Sequence, residues 1–256
     1  MGVYRFGKKA KRLDTRTLLF DTYRTPALPT PPPGHSSLTR VEMALATTNV
    51  GALFPMDHND TEGDCTLAGA AHADTVFNGL VAVKSITPAD VVLSDYLGLT
   101  GGQDTGLDCL TVLNWWRQTG LNGKKILAFA ELNPAHHTDV MLACLLFGGV
   151  YLGFQVPANC IAQFDAGQPW TSPADGGGAL TGDGHCVFAL AYNAVAGEPV
   201  GLRVLTWGSS QLATWGWWDA VVDEAYCILP PEATDPAFAP GFNLAQLQTD
   251  LAAVTG

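Results

Sequence analysis

The stretch Asn59-Asp60-Thr61-Glu62-Gly63-Asp64-Cys65-Thr66-Leu67-Ala68-Gly69, NDTEGDCTLAG, places a cysteine where a polar, acidic loop gives way to an apolar pattern. Downstream, Ala73, Val76, Phe77 and Leu80 recur at i, i+3, i+4 and i+7, the period of a helix. The spacing predicts a helix from Asp64, with Asp64 as N-cap and Cys65 in the first turn. A thiol in that position feels the positive end of the helix dipole, which favours thiolate over thiol. Cys65 is therefore the candidate nucleophile among the six cysteines. The competing reading is a buried thiol, which the small neighbours Ala68, Gly69, Ala70 and Ala71 suit equally well.

A second signal lies at Asp183-Gly184-His185-Cys186-Val187-Phe188-Ala189-Leu190-Ala191-Tyr192, where His185 opens a nearly wholly apolar strand. A base held on a rigid strand end is what nucleophilic catalysis requires. Strand alternation sends Cys186 to the face opposite His185. Beyond it come Leu205-Thr206-Trp207-Gly208 and Trp215-Gly216-Trp217-Trp218, tryptophans that fit a cleft wall or a core.

Around these segments the patterns predict helices over 109–118, 138–146 and 243–254, and strands over 150–156, 186–192, 202–207 and 225–229. Helices first and strands later, with no βαβ alternation and no internal repeat, indicate an α+β fold with an antiparallel sheet. Residues 1–40 hold Pro26, Pro29, Pro31, Pro32 and Pro33 and little hydrophobic periodicity, so an extended arm is expected there. It precedes one domain over 41–256, helical to about 148, β to about 230, and closed by a helix.

Bulk composition agrees with a folded body: 47% hydrophobic and 14% charged residues over 256 positions. The basic N-terminus leads into no apolar core, so no secretory signal is expected and synthesis is read as cytoplasmic. The apolar run 140–156 is interrupted by two glycines and is short of the roughly 20 residues of a membrane span. The dispersed cysteines, with no C-x-x-C pair, argue against a zinc ribbon and a disulfide scaffold. A metal set drawn from His58, Asp60, Cys65 and His185 lacks the spacing of a structural zinc site, so neither metal nor cofactor is expected. His72, two helical turns past Cys65, reads as a satisfied helix histidine, and His136-His137 as solvated.

Charge is unevenly placed. Residues 1–40 carry eight Lys and Arg against two Asp, about +6, and the rest carries five against twenty-two acids, about −17. An acidic body disfavours nucleic acid as main partner. The arm is suited to an acidic protein surface, whether a second copy or another subunit. Near Cys65 the acids Asp57, Asp60, Glu62 and Asp64 oppose a thiolate. One carboxylate about 6 Å away costs roughly 3 kcal/mol at an effective dielectric near 20, and the helix terminus returns about 0.3 to 1 kcal/mol. The neutral thiol is favoured unless His185 is close and charged, or the acids face solvent.

Taken together, these pieces resemble the papain-like cysteine peptidases. That family sets an amide side chain six residues before the cysteine, as Asn59 stands here, a glycine two before it, as Gly63, and a histidine opening a strand, as in GHCVFALAY. LTWG corresponds to the family's N-S-W-G turn, with Leu205 at the asparagine position. The resemblance is closer to papain-like proteins of tailed phages and prophages, through NDTEGDCTLAGAAH, TWGSSQLATWGWW and DEAYCIL. It implies a helical part bearing the cysteine on a central helix, packed on an antiparallel sheet or barrel. It also implies hydrolysis of a peptide or protein substrate, with Cys65 as nucleophile, His185 as base and acid, and Asn59 in the oxyanion hole. With Leu205 unable to hydrogen-bond, a Cys-His dyad is implied, and Thr206 and Asp183 are the candidates to orient the ring; Trp207 and Trp215 are candidate cleft aromatics. The alternative is a catalytically degenerate papain fold serving a virion or similar assembly through its arm, and a third reading makes the arm an inhibitory lead-in removed on activation.

Overall fold

The computed structural model describes all residues except 1, 195, 198, 199, 232–238 and 256. The helical part contributes α1 (Leu38–Leu45), α2 (Val50–Leu53), α3 (Cys65–Leu80), α4 (Ala89–Thr100) and α5 (Cys109–Gln118). The strands are β1 (His35–Ser36), β2 (Ala128–Glu131), β3 (Val150–Pro157), β4 (Leu180–Tyr192), β5 (Gly201–Thr206), β6 (Ser209–Thr214) and β7 (Val222–Leu229). Four further helices, α6 (His137–Phe147), α7 (Cys160–Asp165), α8 (Trp215–Val221) and α9 (Leu244–Thr255), lie on the sheet side. All strand pairs are antiparallel, in the order β2-β7-β3-β4-β5-β6, with β1 on β4. The architecture is α+β.

Helix α3 is buried from Cys65 through Gly79. A helix with apolar or small residues on most of its circumference belongs inside, and α3 lies between α1, α4, α5 and the face of β4, with its polar His72, Asp74 and Asn78 hydrogen-bonded. Its glycine Gly79 lets α1 approach: a Cβ there would stand 2.9 Å from Val41 Cα. The sheet divides the core in two by strand alternation. Cys186, Phe188 and Leu190 face the helical cluster that includes Cys65, and Val187 and Ala189 face the second cluster.

The apolar run 140–156 resolves into α6, a Gly148-Gly149 turn and β3. Among the described residues no helix is long and apolar enough to cross a membrane. One expected detail differs. Asp64 precedes α3, but its side chain caps no helical N–H and instead accepts a hydrogen bond from Asn59 Nδ2. The periodicities also gave no sign of α1, α2, α4, α7, β1, β2, β6 and α8, the last capped by Thr214 Oγ1, which accepts from Trp217 N–H at 3.1 Å.

Candidate active site

Cys65 stands at the start of α3 with no exposed surface. Backbone N–H groups of Gly7 and Cys186 reach its sulfur and favour the charged form, but burial outweighs them, with smaller contributions from Cys186 and Asp64, and lifts the thiol to about 12. His185 sits on β4 opposite Phe154 of β3 and is also fully buried. Burial, with a smaller contribution from His72, pulls its imidazole down to about 3. Both side chains are thus held uncharged in this conformation.

The ring of His185 is fixed on three sides. Trp207 stacks on it with centroids 4.8 Å apart, and Phe154 and Phe6 meet it edge-on at 5.6 and 5.5 Å. Nε2 shares a 2.9 Å hydrogen bond with Thr206 Oγ1, and Nδ1 has no hydrogen-bond partner among the described residues. Thr206 can reach the ring because of strand geometry. Leu205 pairs with Phe188 and faces the helical cluster, so its successor faces the His185 side. Asp183 is not brought to the ring; it lies at the exposed start of β4 and accepts from Thr181 Oγ1 at 3.0 Å. Nor is Trp215, whose ring stacks on His137 at 4.2 Å, while Trp217 and Trp218 are core.

Asn59 is buried in the loop before α3. Two consecutive left-handed residues, Asp57 (φ 53°) and His58 (φ 68°), aim it. His72 secures that turn through Nε2, 3.0 Å from the Pro55 carbonyl and 3.1 Å from Asp57 Oδ2, so the helix histidine is partnered on this nitrogen. Asp60 faces solvent and Glu62 is half-buried, whereas Asp64 is fully buried and lifted to about 8, chiefly by that burial. The acid crowding Cys65 is therefore largely unionised at neutral pH.

The N-terminal segment lies across both side chains; the sequence offered an arm over the body or an inhibitory lead-in, but not which of its residues meet the site. Tyr4 stacks on Trp207 at 4.5 Å and its hydroxyl donates to Asp165 Oδ1 at 2.9 Å. Arg5 N–H donates to the Asn59 carbonyl at 2.7 Å, and Lys8 N–H to the Gly184 carbonyl at 3.1 Å. Leu107 N–H donates to the Gly7 carbonyl, and Lys9 N–H to the Leu107 carbonyl. Consecutive residues thus touch the two candidates, Phe6 the His185 ring and Gly7 the Cys65 sulfur. Gly7 passes so near the loop that a Cβ on it would stand 1.6 Å from the Gly63 carbonyl oxygen.

Lys8 then turns inward. Its side chain is wholly buried, with Nζ 3.0 Å from both Asp223 Oδ1 and Glu224 Oε1. Burial works against the ammonium, but the Glu224 and Asp223 carboxylates overcome it and hold Lys8 charged. Tyr226 donates to the other Glu224 oxygen at 2.9 Å. Further along, Lys11 pairs with Glu131, Arg12 with Asp108 at 3.4 Å, and Arg24 with Asp139 at 3.1 Å. The basic arm therefore pairs with the acidic body of its own chain.

Among the described residues, Asp21, His136 and Asp139 lie close enough together to hold a metal ion. Arg24 already lies against both carboxylates, 3.1 Å from Asp139 Oδ1 and 3.7 Å from Asp21 Oδ1. His136 and His137, read as solvated, are half-exposed and each lies beside a carboxylate, His137 at 2.6 Å from Asp219.

These shifts set a pH dependence. His185 has a folded value of about 3 against an ordinary 6.5, so its contribution to stability is present above 6.5 and is lost as pH falls toward 3. Cys65, raised from 9.0 to about 12, contributes below 9 and loses that contribution as pH rises through 12. Iodoacetamide labelling of Cys65 in the native chain is accordingly expected to climb steadily above pH 9. A plateau between pH 5 and 8, read by peptide mass mapping, would instead reveal a preformed thiolate–imidazolium pair.

No protein-family model and no curated protein matches the chain. Among solved structures, the crystal structure of Xylellain, a cysteine protease from Xylella fastidiosa, matches with a TM-score of 0.61 at 12% sequence identity. The match covers 90% of this chain and 97% of that one. The fold is papain-like, and the likeness is one of fold alone.

Proposed function

We propose that this chain is a cysteine-dependent peptidase or related amide hydrolase of the papain type, with its cleft closed by its own N-terminal segment. Cys65 is the nucleophile, His185 the general base and acid, and Thr206 the group orienting the ring. The observation that carries this reading is the His185 ring, held by Thr206 at Nε2 and, among the described residues, left unpaired at Nδ1. It is supported by the next residue on the same strand, Cys186, whose N–H reaches the Cys65 sulfur.

In the reaction Nδ1 takes the thiol proton as sulfur attacks the scissile carbonyl, then passes it to the departing amine. The developing oxyanion is met by the Cys65 backbone N–H and the Asn59 amide. An amide nitrogen carries two hydrogens, and Asp64 takes one, so the second is left for the oxyanion. Water, deprotonated by His185, then cleaves the thioester. Peptide or protein substrates are the class that a papain-like fold supports, and the phage or prophage association rests on the motifs around Cys65, Trp207 and Tyr226. In that setting the protein acts in the host cytoplasm or travels with a virion.

A second reading, a papain fold retained for assembly, is favoured by the full burial of Cys65 and His185 beneath residues 6 and 7. The two readings separate on one experiment. A peptide electrophile such as a vinyl sulfone is expected to label Cys65 once the segment is displaced, and Cys65→Ala is expected to abolish hydrolysis of a fluorogenic peptide library. An unlabelled Cys65, or turnover that survives the substitution, sinks the enzymatic reading.

A further inference from the structure

We propose that the buried acidic slot now filled by Lys8 is the specificity pocket for a lysine side chain of the substrate; this rests on the enzymatic reading above. The slot is made by Asp223 and Glu224 at the start of β7, by the bare Cα of Gly153 on β3, and by Tyr226. A Cβ on Gly153 would stand 1.9 Å from Lys8 Cε, so the glycine is what leaves room for an aliphatic stem. Glu224 has no exposed surface, and among the described residues the partner of its Oε1 is the Lys8 ammonium, 3.0 Å away. Burial pushes the Glu224 carboxyl up and the Lys8 ammonium works against that shift, so with the slot emptied the acid must take up either a cation or a proton, and a lysine ammonium restores the pair.

The slot is also attached to the reacting centre. Lys8 follows Gly7, whose N–H touches the Cys65 sulfur, and its own N–H is bonded to Gly184, the residue before His185. A peptide lying where residues 4–9 lie can therefore present a lysine to Asp223 and Glu224 while its backbone crosses Cys65. The position beside that lysine is narrow, since a Cβ on Gly7 would meet Gly63 and one on Gly106 would stand 2.1 Å from the Gly7 carbonyl oxygen. The chemical class selected is a peptide with lysine next to glycine, preceded by an aromatic residue that fits against Trp207 and His185 as Phe6 does. Lysine is preferred to arginine, because the ammonium is a compact point charge and the planar guanidinium is broader.

The test uses the full-length Gly7→Ala chain, in which the resident segment is displaced, and two acetylated, amidated peptides, Tyr-Arg-Phe-Gly-Lys and the same peptide with norleucine in place of lysine. Fluorescence anisotropy of labelled peptide is expected to show the lysine peptide binding at least about 10-fold tighter, a difference erased by Glu224→Gln. Library hydrolysis should carry the same lysine preference. Equal binding of the two peptides, or discrimination that persists in Glu224→Gln, overturns the pocket assignment. Lysine-selective binding with no hydrolysis keeps the pocket and sinks only the catalytic reading.

Discussion

Replacing Gly7 by alanine is expected to lift the N-terminal segment off Cys65 and raise its labelling rate at pH 7.5 by about two orders of magnitude. The added Cβ would stand 1.6 Å from the Gly63 carbonyl oxygen and 2.3 Å from its carbon. Both atoms are backbone, on the loop that enters α3, so no side chain can rotate away to make room. Moving the loop instead would disturb the Asn59–Asp64 bond and the Arg5–Asn59 bond at once. The less constrained partner is the segment itself, which beside Gly7 is held by one backbone bond to Gly184 and two to Leu107, and which can lift at Gly7 while Lys8 keeps its ion pair. Once it moves, water reaches Cys65 and His185, the burial that lifts one and depresses the other is relieved, and a Cys⁻/His⁺ pair becomes accessible. Hydrogen exchange over residues 2–9 should accelerate while that of α3 and β4 is retained. Labelling as slow as in the parent chain, with the fold intact, would show that the segment does not gate the thiol.

The two catalytic candidates were legible because each sits where one periodicity replaces another: Cys65 where an acidic loop becomes a helix, His185 where a polar turn becomes a buried strand. The orienting group was only half legible. Motif alignment pointed to Leu205, and alternation across β5 instead brings Thr206 to the ring. Helix α4 escaped although Pro88 precedes it and Gly101 caps it, because Val91, Val92 and Leu93 stand in a row and blur the helical period. The docking of the N-terminal segment has no periodic signal at all. It depends on backbone hydrogen bonds, on one lysine, and on Gly7, Gly63, Gly106, Gly153 and Gly184 meeting in space from distant parts of the chain. What the sequence did carry was the charge imbalance, and its use is intramolecular: Lys8, Lys11, Arg12 and Arg24 each find an acid of the body.

That imbalance leads to the second large effect, the replacement of Lys8 by methionine. Methionine fills much of the same slot over Gly153, so the loss is principally electrostatic. It leaves Glu224 buried with Tyr226 as its remaining described partner, and breaking one side of a buried pair costs about 3 to 5 kcal/mol. Asp223 is about a quarter exposed and still receives Gln155 Nε2 at 2.8 Å, so its share of the loss is small. A lower midpoint of denaturant unfolding is expected, with the slope unchanged. Adding Glu224→Gln should recover a large part of the loss, since a neutral amide beside methionine carries no unpaired charge. The coupling between the two substitutions separates a true ion pair from simple packing. If Lys8→Met and Glu224→Gln destabilise additively, the slot is held by shape, and the lysine preference argued for it goes as well. If the double variant is more stable than Lys8→Met alone, the buried acid is what favours a cation, and a chain or peptide that supplies one is the preferred occupant of the cleft.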